Sequence, residues 1–249
     1  MTTAVSISGV SIGFGPVTVI DDLSLDVPAS TTFGVVGESG SGKTTLLRAA
    51  LGLQDVRRGE IRLMGERFGG SLAETRRRAR VIQPIFQDPA AALSPRCRIG
   101  VLMDEVAKVL GEPRDALRQR LDEILRRLGL PRAILDKYPH QISGGQARRA
   151  AIARALLMRP RILAADEPTA GLDVSVQGEL LNLLQELRRT EEITLLIITH
   201  NLAVVRLIAD RVAVMQSGRI VEQGEANAVF ARPQHAYTRE LLNSWPATS

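Results

Sequence analysis

Gly37-Glu38-Ser39-Gly40-Ser41-Gly42-Lys43-Thr44-Thr45 sets glycines, a lysine and two threonines directly after the apolar run FGVVG, residues 33–37. This spacing suits a loop that folds tightly enough for its backbone N–H groups to converge on phosphate oxygens. Lys43 would add a charge for the β and γ phosphates, and Thr44 a hydroxyl for Mg²⁺. A flexible Gly/Ser turn would need neither the Lys-Thr pair nor the strand and helix that flank it.

A magnesium-bound nucleotide also calls for a carboxylate at the end of a neighbouring strand, and Asp166 closes the apolar run RILAAD in that position. Glu167 follows at the point where the chain must turn, so it can address the water beyond the γ phosphate while Asp166 serves the metal. His200 ends the run TLLIITH and is expected at the same sheet edge, in contact with the γ phosphate. Gln87, after VIQPIF, could offer its amide oxygen to Mg²⁺ or to the attacking water.

A second glycine-rich helix start stands at Ser143-Gly144-Gly145-Gln146, before a helix expected from about Ala147. Its free N–H groups and the helix dipole suit an anion. One phosphate chain cannot easily reach this helix start and the phosphate loop together, so the most economical ligand here is nucleotide bound to another subunit. A plain N-cap, with Ser143 capping and the glycines turning, stands equal on these residues alone.

The elements that must position these groups are legible in the periodicity. The runs at 33–37, 161–166 and 194–200 are continuously apolar, as strands of a parallel sheet covered on both faces are. SVQGELLNLLQELRR places Val176, Leu180, Leu183, Leu184 and Leu187 on one helical stripe, the crossover between two such strands. Between about residues 95 and 140 strand signals cease, and Leu117, Leu121, Ile124, Leu125 and Leu128 recur at helical spacing up to Gly129 and Pro131. The alternating opening, residues 5–27, predicts antiparallel strands with one wet face. The expectation is an α/β chain forming one unit over 1–249: a mostly parallel core with N-terminal antiparallel strands (1–94 and 141–249) and an inserted helical subdomain (95–140).

Composition narrows the classes. No apolar stretch approaches the roughly 18–20 residues that span a bilayer, and the first residues lack a signal-peptide pattern, so a soluble, cytoplasmic chain is expected. A lone cysteine, Cys97, excludes an intramolecular disulfide and is read as a packed or tolerated thiol. The net charge of +5 is densest at Arg76–Arg80, read as a solvated face because no aromatics interleave to stack bases.

Together these residues resemble the ATP-binding subunit of an ABC transporter over nearly the whole chain. The resemblance covers the phosphate loop at 37–44, a glutamine loop at Gln87, the signature ISGGQ (142–146), the Walker B pair Asp166 and Glu167, a D-loop AGLD with Asp173, and a switch histidine at His200. It implies ATP and Mg²⁺ as ligands, an adenine-stacking aromatic at Phe14, and Ser143, Gly144, Gly145 and Gln146 acting in trans. Three departures are visible: Ile142 for leucine, Ala147 and Arg148 after the signature, and Asn201 for aspartate. IFQDPAAALSPR and GRIVEQGEANAVFARPQHAYTRELL are similar to importers of peptides and nickel. Implied partners are a second ATPase subunit, identical or homologous, membrane permease subunits and, indirectly, an extracytoplasmic substrate-binding protein. Nucleic acid is not expected, and the implied place is the cytoplasmic face of the inner membrane. The alternatives are an accessory ATPase of a phosphonate-degrading complex and an ABC-type ATPase working on DNA or ribosomes.

Overall fold

The alternating opening segment forms a hairpin of β1 (Thr3–Phe14) and β2 (Val17–Pro28), one face of which is buried. The structure, a computed structural model, describes residues 2–86, 88 and 92–244. Strand β3 (Thr32–Val36) is buried throughout and runs into the phosphate loop. With β4 (Arg58–Leu63) and β5 (Glu66–Arg67), the hairpin makes an antiparallel sheet in the order β2-β1-β4-β5.

A second sheet holds the predicted apolar runs. Its order is β10-β9-β3-β8-β7-β6, with β6 (Ile82–Ile85), β7 (Ile162–Asp166), β8 (Thr194–Thr199), β9 (Arg211–Gln216) and β10 (Arg219–Glu225). All neighbours pair in parallel except β10, which is antiparallel to β9. Pro84 is tolerated because, among the described residues, β6 is an edge strand, with one side carrying no ladder to interrupt. In register, Val36 lies abreast of Thr199 and Asp166 abreast of Ile198, so β3, β7 and β8 end together at one sheet edge.

Successive strand residues point to opposite faces, and the two faces are covered differently. Ile162, Ala164, Leu196 and Ile198 pack with the antiparallel sheet and with Leu46 and Leu47 of α1 (Lys43–Ala50). On the other face, Leu163, Ala165, Leu195 and Ile197 pack with α3 (Ile99–Leu110), α4 (Arg114–Arg127), α5 (Gly144–Leu157) and α6 (Val174–Glu191). Residues 95–140 thus contribute helices and two short 3-10 turns whose apolar residues share a core with the sheet. All five stripe residues between Leu117 and Leu128 are buried. In α6, Leu180, Leu184 and Leu187 are buried as expected, but Leu181 joins them while Val176 and Leu183 stay half-buried. The buried stripe is one helical face, turned from the expected one toward Leu181, and α6 packs on both β8 and α7.

The arginine-rich run belongs to α2 (Leu72–Val81), whose ten residues, all described, include none that is buried. It is less free than a solvated face. Arg77 pairs with Glu66, Arg78 donates to Phe68 O at 2.7 Å, and Arg80 donates to Val109 O and Leu110 O at 3.0 Å. The helix is started by a reciprocal cap between Ser71 and Glu74.

The outer end of the sheet is closed by α7 (Leu202–Ile208), α8 (Ala226–Ala231) and α9 (Ala236–Asn243). Here Gly34 of β3 permits close packing: a Cβ at that position would lie 2.4 Å from Val205 Cγ1. Gly34→Ala is therefore expected to destabilise the protein by about 1–3 kcal/mol in urea unfolding. Adding Val205→Ala should restore part of that loss, the sign of a direct clash.

Candidate functional site

The phosphate loop links β3 to α1 in the manner the sequence predicts. Gly42 forms the helix N-cap in a left-handed conformation (φ 105°), where a Cβ would also meet Met215 Cε at 2.9 Å. Thr44 and Thr45 lie in the first turn of α1, while Glu38, Ser39 and Gly40 are exposed at the loop's outer bend. Lys43, only 6% exposed, folds back over its own loop. Its Nζ donates to Gly37 O and Glu38 O at 2.8 Å and to Ser41 Oγ at 3.3 Å. Burial pushes its pKa down from the ordinary lysine value, while the nearby carboxylates of Glu167, Asp166 and Glu38 oppose that shift.

Asp166 is brought to the loop by the parallel register, and Thr44 Oγ1 donates to its Oδ1 at 3.2 Å. Burial raises the Asp166 pKa above the usual carboxylate range; the Thr44 hydroxyl works against this, and the Glu167 charge adds to it. A hydroxyl and a carboxylate oxygen placed side by side fit a small hard cation that takes its remaining ligands from phosphate and water. Thr44 and Asp166 are thus the residues that could hold Mg²⁺.

At Glu167 the chain leaves β7 with a left-handed backbone (φ 47°), a conformation that costs a non-glycine residue about 1–3 kcal/mol. The backbone is held there by a bond from Glu167 N–H to Ile198 O at 2.8 Å. Its carboxylate is held on the opposite strand: Oε2 accepts Thr199 Oγ1–H at 2.8 Å, and Oε1 accepts His200 N–H at 2.9 Å. His200 Nδ1 also lies 2.6 Å from Oε1. The structure therefore unites the two residues predicted at this edge, with Glu167 18% exposed and His200 57% exposed. Such a carboxylate can take a proton from water, and the imidazole reaches further out. Sequence reasoning passed over Thr199; its signal was a hydroxyl ending an otherwise apolar run.

At the second glycine-rich helix start the structure shows the cap that the N-cap reading expects. The helix begins at Gly144 rather than near Ala147, and Ser143 is its N-cap, in a reciprocal cap with Gln146. Ser143 Oγ accepts Gln146 N–H at 3.2 Å and Gln146 Oε1 accepts Ser143 N–H at 3.1 Å. Gln146 N–H is thus taken, while those of Gly144 and Gly145 have no acceptor within the helix. Both glycines are exposed, and a Cβ on either would meet nothing within 4 Å among the described residues. The fold of the chain itself does not require glycine there.

The remaining predicted residues are more scattered. Phe14 ends β1 and is 49% exposed, and the following turn is braced by Arg57, whose guanidinium donates to Gly15 O. The same hairpin passes α1, since a Cβ on Gly42 would lie 3.3 Å from Ile20 Cγ1. Asp173 caps α6, accepting Val176 N–H at 3.0 Å and Ser175 Oγ–H at 2.7 Å, and these bonds lower its pKa. Asn201 caps α7 through Val204 N–H at 3.2 Å, so the departure from aspartate keeps the capping function. Half-buried Ile142 packs on the helical core, as does Cys97. Gln87, predicted as a metal or water ligand, lies outside the described residues.

Residues 20–170 match the ABC transporter family. The chain belongs to that family. It is an ATP-binding subunit of an ABC transporter, with the ABC ATPase fold, and it hydrolyses ATP. The di/tripeptide transport ATP-binding protein DppF of Pseudomonas aeruginosa is 40% identical over 244 residues, covering 96% of this chain and 75% of that protein. A putative peptide import ATP-binding protein of Brucella ovis is 43% identical over 231 residues, 92% of this chain and 73% of its own length. Among solved structures, cbiO1 from Clostridium perfringens, part of the ABC transporter complex cbiONQ, superposes with a TM-score of 0.84 at 30% identity, covering 93% of this chain and 92% of its own. A dimeric ATP-binding cassette in a post-hydrolysis state with ADP and Pi gives 0.76 at 25% identity, covering 89% and 98%. Among the described residues of this ABC subunit, no helix is long and apolar enough to cross a membrane.

Proposed function

We propose that this subunit drives peptide import by closing as a dimer over two ATP molecules, each held by the phosphate loop of one subunit and the signature of the other. The open glycine pair carries this reading. Gly144 and Gly145 offer N–H groups with no acceptor in their helix, which packs on one face of the sheet, while α1 and its phosphate loop pack on the other face. A γ phosphate belonging to a second subunit is the ligand that gives the signature helix start a purpose alongside the phosphate loop. Peptide as cargo follows the functions named for the relatives from Pseudomonas and Brucella.

In this reading Lys43 keeps Gly37 O as one acceptor and turns its other N–H groups to the β and γ phosphates, and Phe14 stacks on adenine. Mg²⁺, when held by Thr44 and Asp166, neutralises charge on the phosphate oxygens. Glu167 accepts the proton of the attacking water, His200 contacts the γ phosphate, and Asp173 shapes the D-loop that faces the partner. Gln87 is assigned to the metal or the water from its place after the run VIQPIF and from the resemblance. The permease would be met around the glutamine loop and the helical insertion, about residues 87–140, where α3 leaves Val101 51% exposed. The subunit would then sit peripherally on the cytoplasmic face of the membrane, its permease engaging an extracytoplasmic binding protein. Co-purification with a permease pair supports this reading; a soluble phosphonate-degrading complex, or nucleic acid, would replace it.

Gly145→Asp tests the trans site. The monomer should keep its fold, because the new side chain enters open space, but the added carboxylate should repel the partner's phosphates and lower ATPase activity about 10²-fold. In a Glu167→Gln background, sedimentation with ATP should show dimer, and adding Gly145→Asp should return it to monomer. A variant monomer that hydrolyses ATP at the parental rate removes the sandwich from the mechanism.

A further inference from the structure

The helix α9 reaches back to the phosphate loop. Glu222 on β10 accepts the N–H groups of Gln234 at 2.8 Å and His235 at 3.0 Å, and His235 Nδ1 accepts Tyr237 N–H at 3.2 Å. These bonds fix the start of the helix. Tyr237, 6% exposed, then places its hydroxyl oxygen 3.1 Å from the backbone nitrogen of Glu38, whose N–H it accepts.

Glu38 N–H and Gly37 C=O belong to one planar trans peptide unit, so they point in opposite directions and holding one aims the other. Gly37 O is an acceptor for Lys43 Nζ, at 2.8 Å. The loop is backed on the same side by the β9–β10 hairpin. A Cβ on Gly37 would lie 2.1 Å from Met215 O, and Gly218 N–H is donated to Ser41 O at 2.9 Å.

We propose that Tyr237 is a positioning residue for ATP: its hydroxyl locks the Gly37–Glu38 peptide and, through that carbonyl, the direction of the Lys43 ammonium. The inference rests on Lys43 being the phosphate-binding cation and adds a residue 199 positions beyond Glu38 that aims it. A merely structural Tyr237 would act through its ring, which is packed in the cluster with Val36, Leu202 and Val229. The bond to the loop is made by the hydroxyl.

Tyr237→Phe in the full chain keeps the ring and removes the acceptor. One lost hydrogen bond predicts a Kd for MgATP raised about 5–10-fold, with kcat at saturating ATP within about twofold of the parent. Hydrogen exchange at the Glu38 amide should quicken about tenfold while that at Gly218 stays unchanged. Glu222→Gln, which loosens the α9 anchor without altering the ring, should move Kd in the same direction by less, and serves if the first variant folds poorly. A Kd equal to or tighter than the parental one, with unaltered exchange at Glu38, overturns the proposal. A Kd for Lys43→Ala equal to the parental value would instead overturn the assignment of Lys43 on which it rests.

Discussion

Glu167→Gln is expected to bind MgATP with a Kd near the parental value and to turn it over about 10²–10⁴-fold more slowly, the range a positioned general base supplies. The geometry says why binding survives. Glutamine keeps one oxygen for His200 N–H, and its amide nitrogen can donate to Thr199 Oγ1 once that hydroxyl rotates, so the side chain stays where the carboxylate was. What disappears is the basic oxygen. With hydrolysis stopped and the phosphate ligands intact, ATP should accumulate between two subunits, visible as a nucleotide-dependent dimer in size exclusion. Parental turnover by this variant would assign the base elsewhere.

Lys43→Ala fails at an earlier step. The ammonium sits among the carboxylates of Glu167, Asp166 and Glu38, so its removal leaves negative charge facing the incoming polyphosphate. It also strips Gly37 O and Glu38 O of their donor. A charged hydrogen bond contributes about 1.5–3 kcal/mol, which predicts a Kd weakened on the order of 10²-fold by calorimetry. A Kd within about twofold of the parental value would exclude Lys43 from phosphate binding. The two variants separate binding from chemistry: the glutamine form holds ATP without cleaving it, whereas the alanine form scarcely holds it.

The groups at the sheet edge could be placed from sequence because each ends an apolar run, and strands buried on both faces leave little choice of what lies between their ends. Asp166 and His200 needed only that rule. The backbone reversal at Glu167 and its bond to Thr199 depend on pairing across strands, which periodicity does not carry. α2 was hidden for another reason: with no buried residue it has no apolar stripe, and its sole local signal was the Ser71–Glu74 cap spacing. Leu181 was missed because a stripe drawn through Val176 and Leu183 is turned away from the face that α6 buries. Tyr237 gave no warning at all, since its hydroxyl acts on a peptide group in a distant loop.

The placement of β3 has a consequence for how the protein is made. β3 is flanked by β8 and β9, which begin at Thr194 and Arg211, so its ladder partners are among the later segments to leave the ribosome. Pairings this remote in sequence form slowly and leave strand edges uncovered meanwhile. A partly synthesised chain therefore lacks both ladders that hold the strand leading into its phosphate loop. The growing polypeptide carries its phosphate-binding residues early but acquires their working shape only after Gln216 has been added.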